Sequence, residues 1–191
     1  QVIGDTLHSY INPATRQVTL PLDFDAKSLS KITIIACGTA FLAGMVAKYW
    51  LETVARIPVE IDVASEFRYR AADMPENGMA LFISQSGETM DTLESLRYAH
   101  TQNQIIASVV NSPESTISRE SDFVWQTYAG PEIGVASTKA FTTQLTVLAC
   151  LTIAIARERG TLGKDGEVRL MEALTEVPAR AAEVLNHDEH I

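Results

Sequence analysis

The chain has 191 residues, 46% hydrophobic and 20% charged, with 24 acidic side chains against 15 basic ones and a net charge of −9. That size suits one folded domain with a sizeable core, and the apolar fraction excludes a disordered chain. The acidic balance argues against non-specific nucleic-acid or anionic-membrane binding, which needs clustered positive charge, but a small anion held by a few local donors remains compatible.

Two cysteines, Cys37 and Cys150, are too few for a disulfide framework and are expected as reduced thiols in a cytoplasmic protein. The N-terminus has no basic start followed by an apolar run, as a signal peptide would. The most apolar stretch, Leu145 to Ala156, is 12 residues long, shorter than the ~20 a spanning helix needs, and reads as a buried core helix. The chain starts at Gln1 and ends in a helical pattern at His190-Ile191, as expected of a piece cut from a longer protein.

In chain order, residues 1–30 hold a short amphipathic stretch around Val2 to Ile11, then the breakers Asn12-Pro13 and Pro21. They are expected to form a lead-in or linker rather than core. The continuous β-branched run Ile32 to Ala36 reads as a strand covered on both faces. A helix is expected from about Ala40 to Ala55, with Leu42, Val46, Tyr49 and Trp50 along one side. Strands follow at Val59–Val63, Ala80–Ile83, Ile105–Val110 and Phe123–Tyr128. Helices are expected at Glu88 to about Gln102, Ser115–Ser121, Thr138–Arg159 and Asp165–Asn186, the last with a kink or break at Pro178. This alternation predicts an α/β domain, a doubly wound three-layer sandwich around a five-stranded parallel sheet. Ligands of such folds lie beyond the C-terminal strand ends, where the strand-to-helix loops meet.

Three of those loops carry chemistry. Ser84-Gln85-Ser86-Gly87-Glu88-Thr89 joins a strand to a helix, where backbone N–H groups lack intrahelical partners and the helix dipole favours an anion. Ser84, Ser86 and Thr89 add hydroxyl donors without charge, and Gly87 allows close backbone approach. Four or five charge-assisted hydrogen bonds of about 1.5–3 kcal/mol each would hold a phosphate monoester without arginine. The plainer alternative is an ordinary N-cap at Ser86. Cys37-Gly38-Thr39-Ala40 occupies the same kind of junction after the first strand. Gly38 and Thr39 offer further donors, and Cys37, with no histidine nearby in sequence, reads as a small residue rather than a nucleophile. In Glu132 to Lys139, Ser137 or Thr138 would cap the long helix, while Lys139 is balanced between a solvated cation and the partner of an anion.

Other signatures are missing from the sequence. His8, His100, His187 and His190 show no metal-ligand spacing. There is no dinucleotide G-x-G-x-x-G, no P-loop and no G-x-S-x-G elbow. Trp50 and Trp125 suit core positions, and Arg68 and Arg70 with Glu66 suit a solvated or interface face.

Taken together, Ala36 to Thr39, Ala64 to Tyr69, Ser84 to Thr89 and Glu132 to Leu145 resemble the glutamine–fructose-6-phosphate aminotransferases, or glucosamine-6-phosphate synthases. The resemblance covers about residues 31–190 and corresponds to the first of the two sugar isomerase (SIS) domains of that family's isomerase part. Residues 1–30 resemble the linker to an upstream glutaminase domain. The resemblance implies that Ser84, Gln85, Ser86 and Thr89 hold a sugar phosphate and that Thr39, Val135 and Ser137 face the sugar. The candidate binding set is thus Cys37, Gly38, Thr39, Ser84, Gln85, Ser86, Thr89, Val135 and Ser137, with no metal or cofactor. One departure is Ala40, where the family often has Ser, so one phosphate contact is lost.

The resemblance further implies a parent enzyme making glucosamine 6-phosphate from fructose 6-phosphate and glutamine. Its catalytic residues would lie in the second SIS domain, the C-terminal tail and the glutaminase domain. A fragment of this kind is expected to be inactive alone and to belong to a homodimeric cytoplasmic enzyme. Two alternatives stand beside it: a non-catalytic SIS module sensing a phosphosugar, and a flavin-binding electron carrier. In flavodoxin-like carriers the phosphate loop follows the first strand, whereas here it follows the third.

Overall fold

The computed structural model describes residues 1–131 and 138–186. Helix α1 (Val2–Tyr10) leads into a small antiparallel pair, β1 (Ile11–Asn12) and β2 (Gln17–Val18). The main α/β unit follows: β3 (Ile32–Ala36), α2 (Gly38–Trp50) running into a π-helical turn (Leu51–Ala55), β4 (Val59–Val63), α3 (Ala64–Phe67), β5 (Met79–Ser84) and α4 (Met90–Thr101). It continues through β6 (Ile105–Val110), α5 (Thr116–Arg119), β7 (Phe123–Gln126), α6 (Thr138–Glu158) and α7 (Lys164–Asn186).

Strands β3 to β7 form one parallel sheet in the order β4-β3-β5-β6-β7. The runs predicted at 32–36, 59–63 and 105–110 are these strands residue for residue; the central β3 and β6 are buried along nearly their whole length, as a covered parallel strand requires, while the edge strand β4 alternates Val59, Ile61 and Val63 with Glu60 and Asp62. Alternate residues feed two cores. Ile32, Ile34, Leu81, Ile83, Ala107 and Val109 face a layer to which α1, α2 and α6 contribute buried side chains. Ile35, Ala80, Phe82, Ile106 and Val110 face α3, α4 and α5. The three-layer, doubly wound architecture is therefore as expected.

The buried side of α2 is lined by small residues. Ala40, Ala43, Gly44 and Ala47 face inward, while Leu42 and Tyr49 are 51% and 66% exposed. The sheet is too close for large side chains: a Cβ on Gly44 would lie 2.8 Å from Ile34 Cγ2 and 2.9 Å from Ile61 Cδ1. Small residues thus let the helix approach, and the larger apolar ones are turned outward.

Residues 1–30, expected as a lead-in rather than core, are part of the packed interior. Leu7, Tyr10, Ile11, Val18, Leu20, Ala26 and Leu29 are buried in the larger core. Two arginines at the end of α6 fasten the segment: Arg157 Nη1 donates to Val18 O (2.9 Å), and Arg159 Nη1 donates to Ala26 O (2.7 Å) and Leu29 O (3.2 Å). Trp125 Nε1 adds a bond to Pro21 O (3.2 Å). The irregular backbone between Pro21 and Leu29 gave no periodic signal, yet the carbonyls of Pro21, Ala26 and Leu29 are satisfied by side chains more than a hundred positions away.

Helix α6 spans 21 residues, longer than its most apolar run and long and apolar enough to cross a membrane, but most of it is buried inside the domain. It is the central core helix, packed against α1 and α2. Burial also raises the Cys150 thiol to about 12, which keeps it protonated. Helix α7 continues through Pro178, so the expected break does not occur. Leu170, Met171 and Leu174 anchor the preceding turns to the core, and the following Ala179-Arg180-Ala181-Ala182-Glu183 favours helix strongly.

Candidate phosphate site at the strand ends

Numbered along the sheet, the strand order is 2-1-3-4-5, which places a topological switch point between β3 and β5. Ala36 is in register with Ile83, so the two strands end side by side, about 4.8 Å apart. Cys37-Gly38-Thr39 leaves one end and Ser84 to Thr89 leaves the other. The sequence-predicted residues of these two loops are therefore neighbours in space.

Cys37 is the half-buried N-cap of α2, and Gly38 and Thr39 are its exposed first residues. Their N–H groups precede the first intrahelical bond, Phe41 N–H to Cys37 O at 3.4 Å. Across the gap, Thr89 is the N-cap of α4 and makes no side-chain cap bond. The cap is thus not Ser86, as the plainer alternative had it, and the Thr89 hydroxyl is not spent on capping. Two helix N-termini border the same crevice, each supplying a positive dipole end.

The Ser84–Thr89 loop is internally braced. Ser84, 4% exposed, accepts from Gly87 N–H at 3.0 Å, and its Oγ lies 3.4 Å from Thr89 Oγ1. Ser86 is exposed and accepts from Glu88 N–H at 3.2 Å. Gly87 sits at φ +66°, and a Cβ there would overlap the Ser115 side chain. Glu88 turns away: its Oε1 accepts from Thr116 N–H at 2.7 Å, a bond that lowers its pKa below the ordinary carboxylate value, with the Thr116 hydroxyl and Arg119 assisting. The loop thereby presents hydroxyls and backbone donors while its one carboxylate is tied to α5.

A cleft of about 810 Å³ opens on the β6–β7 side of the loop, lined by Asp5, Ser86, Glu88, Asn111, Glu114, Ser115, Thr127 and Tyr128 among others. Of the expected site residues it includes only Ser86, since Cys37 to Thr39 lie on the other side of β5. Its three carboxylates, on Asp5, Glu88 and Glu114, suit it poorly to a bare anion.

Val135 and Ser137 lie outside the described residues, as do His187 and His190. Lys139 donates to Pro131 O at 2.9 Å. Arg70 is paired with Glu60 (2.5 Å) and Asp62 (2.7 Å), and Arg68 with Asp91 (3.4 Å), in line with a solvated charged face. No group of three metal-ligating side chains occurs among the described residues.

Sequence reasoning missed Asn111 and Ser115. Asn111 follows β6, beside Gln85, and its carboxamide ties down residues 127–130; Ser115 walls Gly87. The available signal was an Asn at a C-terminal strand end, inside an Asn-Ser-Pro sequence that also reads as an ordinary turn.

A five-stranded parallel sheet in this order, with a hydroxyl-rich loop at the switch point, defines the class, and the chain belongs to the SIS domain family, which matches residues 26–154. The resemblance then narrows. The chain is 55% identical over 187 residues, 97% of its length, to a glutamine–fructose-6-phosphate aminotransferase (isomerizing) of Bradyrhizobium diazoefficiens, of which it covers 31%. It is likewise 55% identical over 93% of its length to the Zymomonas mobilis protein of that name, covering 30% of it. The chain therefore spans less than a third of the curated relatives it matches. Among solved structures, the C-terminal domain of glucosamine-fructose-6-phosphate aminotransferase from Francisella tularensis superposes with a TM-score of 0.92 at 40% identity, over 98% of this chain and 53% of that one.

Proposed function

We propose that this chain is the first SIS domain of a glutamine–fructose-6-phosphate aminotransferase and that it supplies the phosphate clamp of the sugar site. The observation that carries the reading is the placement of two donor-bearing loops at the switch point. Ser84, Gln85, Ser86 and Thr89 hold the phosphate through hydroxyls and N–H groups, and Gly38 and Thr39 close the site from α2, with Cys37 lending backbone only. Val135 and Ser137 face the sugar. With Ala40 at the start of α2, that helix brings no side-chain phosphate contact at this position.

The parent enzyme converts fructose 6-phosphate and glutamine to glucosamine 6-phosphate and glutamate. The residues for proton transfer, ring opening and glutamine hydrolysis belong to a second SIS domain, its tail and a glutaminase domain, so this chain alone turns nothing over. The whole enzyme is a cytoplasmic homodimer without a cofactor. Leu42, Met45 and Tyr49, turned outward on α2, suit burial against a neighbouring domain or subunit.

Calorimetric titration tests the proposal. Fructose 6-phosphate binds the chain and fructose does not, because the phosphate supplies most of the contact; equal binding of both sugars would defeat the clamp.

A further inference from the structure

The C-terminal edge of the sheet is drawn together by one residue, Asn111, that the phosphate clamp does not include. Ser84, Val110 and Gln126 are aligned across β5, β6 and β7, so Gln85, Asn111 and Thr127 leave the sheet in a row. Asn111 N–H donates to Gln85 O at 3.3 Å, and Thr127 N–H donates to Val110 O at 2.8 Å. The Asn111 carboxamide satisfies the third segment: Oδ1 accepts from Thr127 Oγ1 and from Ala129 N–H, both at 3.0 Å, and Nδ2 donates to Gly130 O at 2.9 Å. A single residue thus binds the phosphate loop through its backbone and residues 127–130 through its side chain.

The β7 end and residues 127–130 are also held from outside. Tyr128 N–H donates to Thr6 Oγ1 at 3.2 Å, and Tyr10 OH donates to Gln126 O at 2.7 Å. Thr6 and Tyr10 belong to α1, which precedes the SIS match at residue 26. Thr6 is fully buried, so it touches no ligand.

We propose that Asn111 is a positioning residue for the sugar-phosphate site, setting the gap between the Ser84–Thr89 loop and residues 127–130, and that α1 braces this tie through Thr6. The inference rests on the clamp proposed above. Inorganic phosphate engages only the donors at 84–89 and 37–39, whereas the sugar of fructose 6-phosphate reaches past them and depends on how residues 127–130, which lead in sequence to the proposed sugar residues Val135 and Ser137, are held against the loop. Removing the tie therefore costs the larger ligand more than the smaller one. A general loss of folding would reduce both together.

The test compares the wild-type chain with Asn111→Ala and Thr6→Val, titrated with fructose 6-phosphate and with inorganic phosphate, alongside thermal unfolding and amide exchange without ligand. In both variants, Ala129 and Tyr128 exchange faster. Affinity for fructose 6-phosphate falls about tenfold or more, as expected for loss of one or two partly buried hydrogen bonds, while affinity for phosphate falls less than about threefold. Thr6→Val separates positioning from contact, because its side chain is remote from any ligand. Unchanged fructose 6-phosphate affinity in both variants, or equal losses for the two ligands, overturns the proposal while leaving the clamp intact. A wild-type chain that binds neither ligand overturns the clamp, and the positioning role with it.

Discussion

Replacing Gly87 by alanine is the sharpest single perturbation of the candidate site. Two costs can be worked from the geometry. The backbone is held at φ +66°, which costs an L-residue with a Cβ about 1–2 kcal/mol. The new methyl would also overlap the Ser115 side chain, which is 4% exposed and accepts from Ser118 N–H at the start of α5, so it cannot simply swing aside. Overpacking of this kind adds about 1–3 kcal/mol. The sum, about 2–5 kcal/mol, lowers the unfolding midpoint by roughly 4–20 °C for a domain of this size. The assay is thermal unfolding of Gly87→Ala alone and combined with Ser115→Gly, which removes the overlap but not the φ penalty. Partial recovery in the double variant is expected. A single variant as stable as the wild type would refute the argument, as would a double variant with no recovery.

Other consequences are as specific. Ser86→Ala and Thr89→Ala each weaken fructose 6-phosphate binding by about 1–3 kcal/mol, read by calorimetry, if those hydroxyls donate to the phosphate. Arg157→Ala breaks its 2.9 Å pair with Glu167, which is 3% exposed, and its bond to Val18 O. Because the arginine itself is partly solvated, about 2–4 kcal/mol of stability is expected to go, measured by urea unfolding. Acid also destabilises the fold. Glu60 is held below its ordinary 4.5 first by Lys31 and then by Arg70, and Glu120 below 4.5 by Arg97. A carboxylate lowered in the folded state stabilises above its unfolded value, and that contribution disappears as pH falls through the folded value. Unfolding midpoints should therefore decline from pH 4.5 downward; a flat profile there would contradict the pairing.

Local pattern carried much of the architecture and pointed to two of the strand-end loops that form the candidate site. Strands such as Ile32–Ala36 and Ile105–Val110 announce themselves because burial on both faces demands unbroken apolar, β-branched runs. The Ser84–Thr89 loop was legible because hydroxyls, a glycine and a helix start occur together in six residues. What stayed hidden depends on partners distant in the chain. Nothing near Thr6 reports that it meets Tyr128, and nothing near Val18 or Leu29 reports Arg157 or Arg159. The inward face of α2 is not marked by apolar size, because a close helix–sheet approach selects Ala43, Gly44 and Ala47. The helix runs on through Pro178, whose local cost, about 3 kcal/mol, is offset by tertiary anchoring of the preceding turns.

The central claim is that phosphate is held where α2 and α4 begin, by neutral donors, in a chain of net charge −9. Residue-resolved amide NMR during titration with fructose 6-phosphate, fructose and inorganic phosphate tests it most directly. The account predicts the largest shifts at 84–89, with smaller ones at 37–39, for both phosphate-bearing ligands and for neither loop with fructose. Shifts centred elsewhere, or equal shifts with fructose itself, would contradict it.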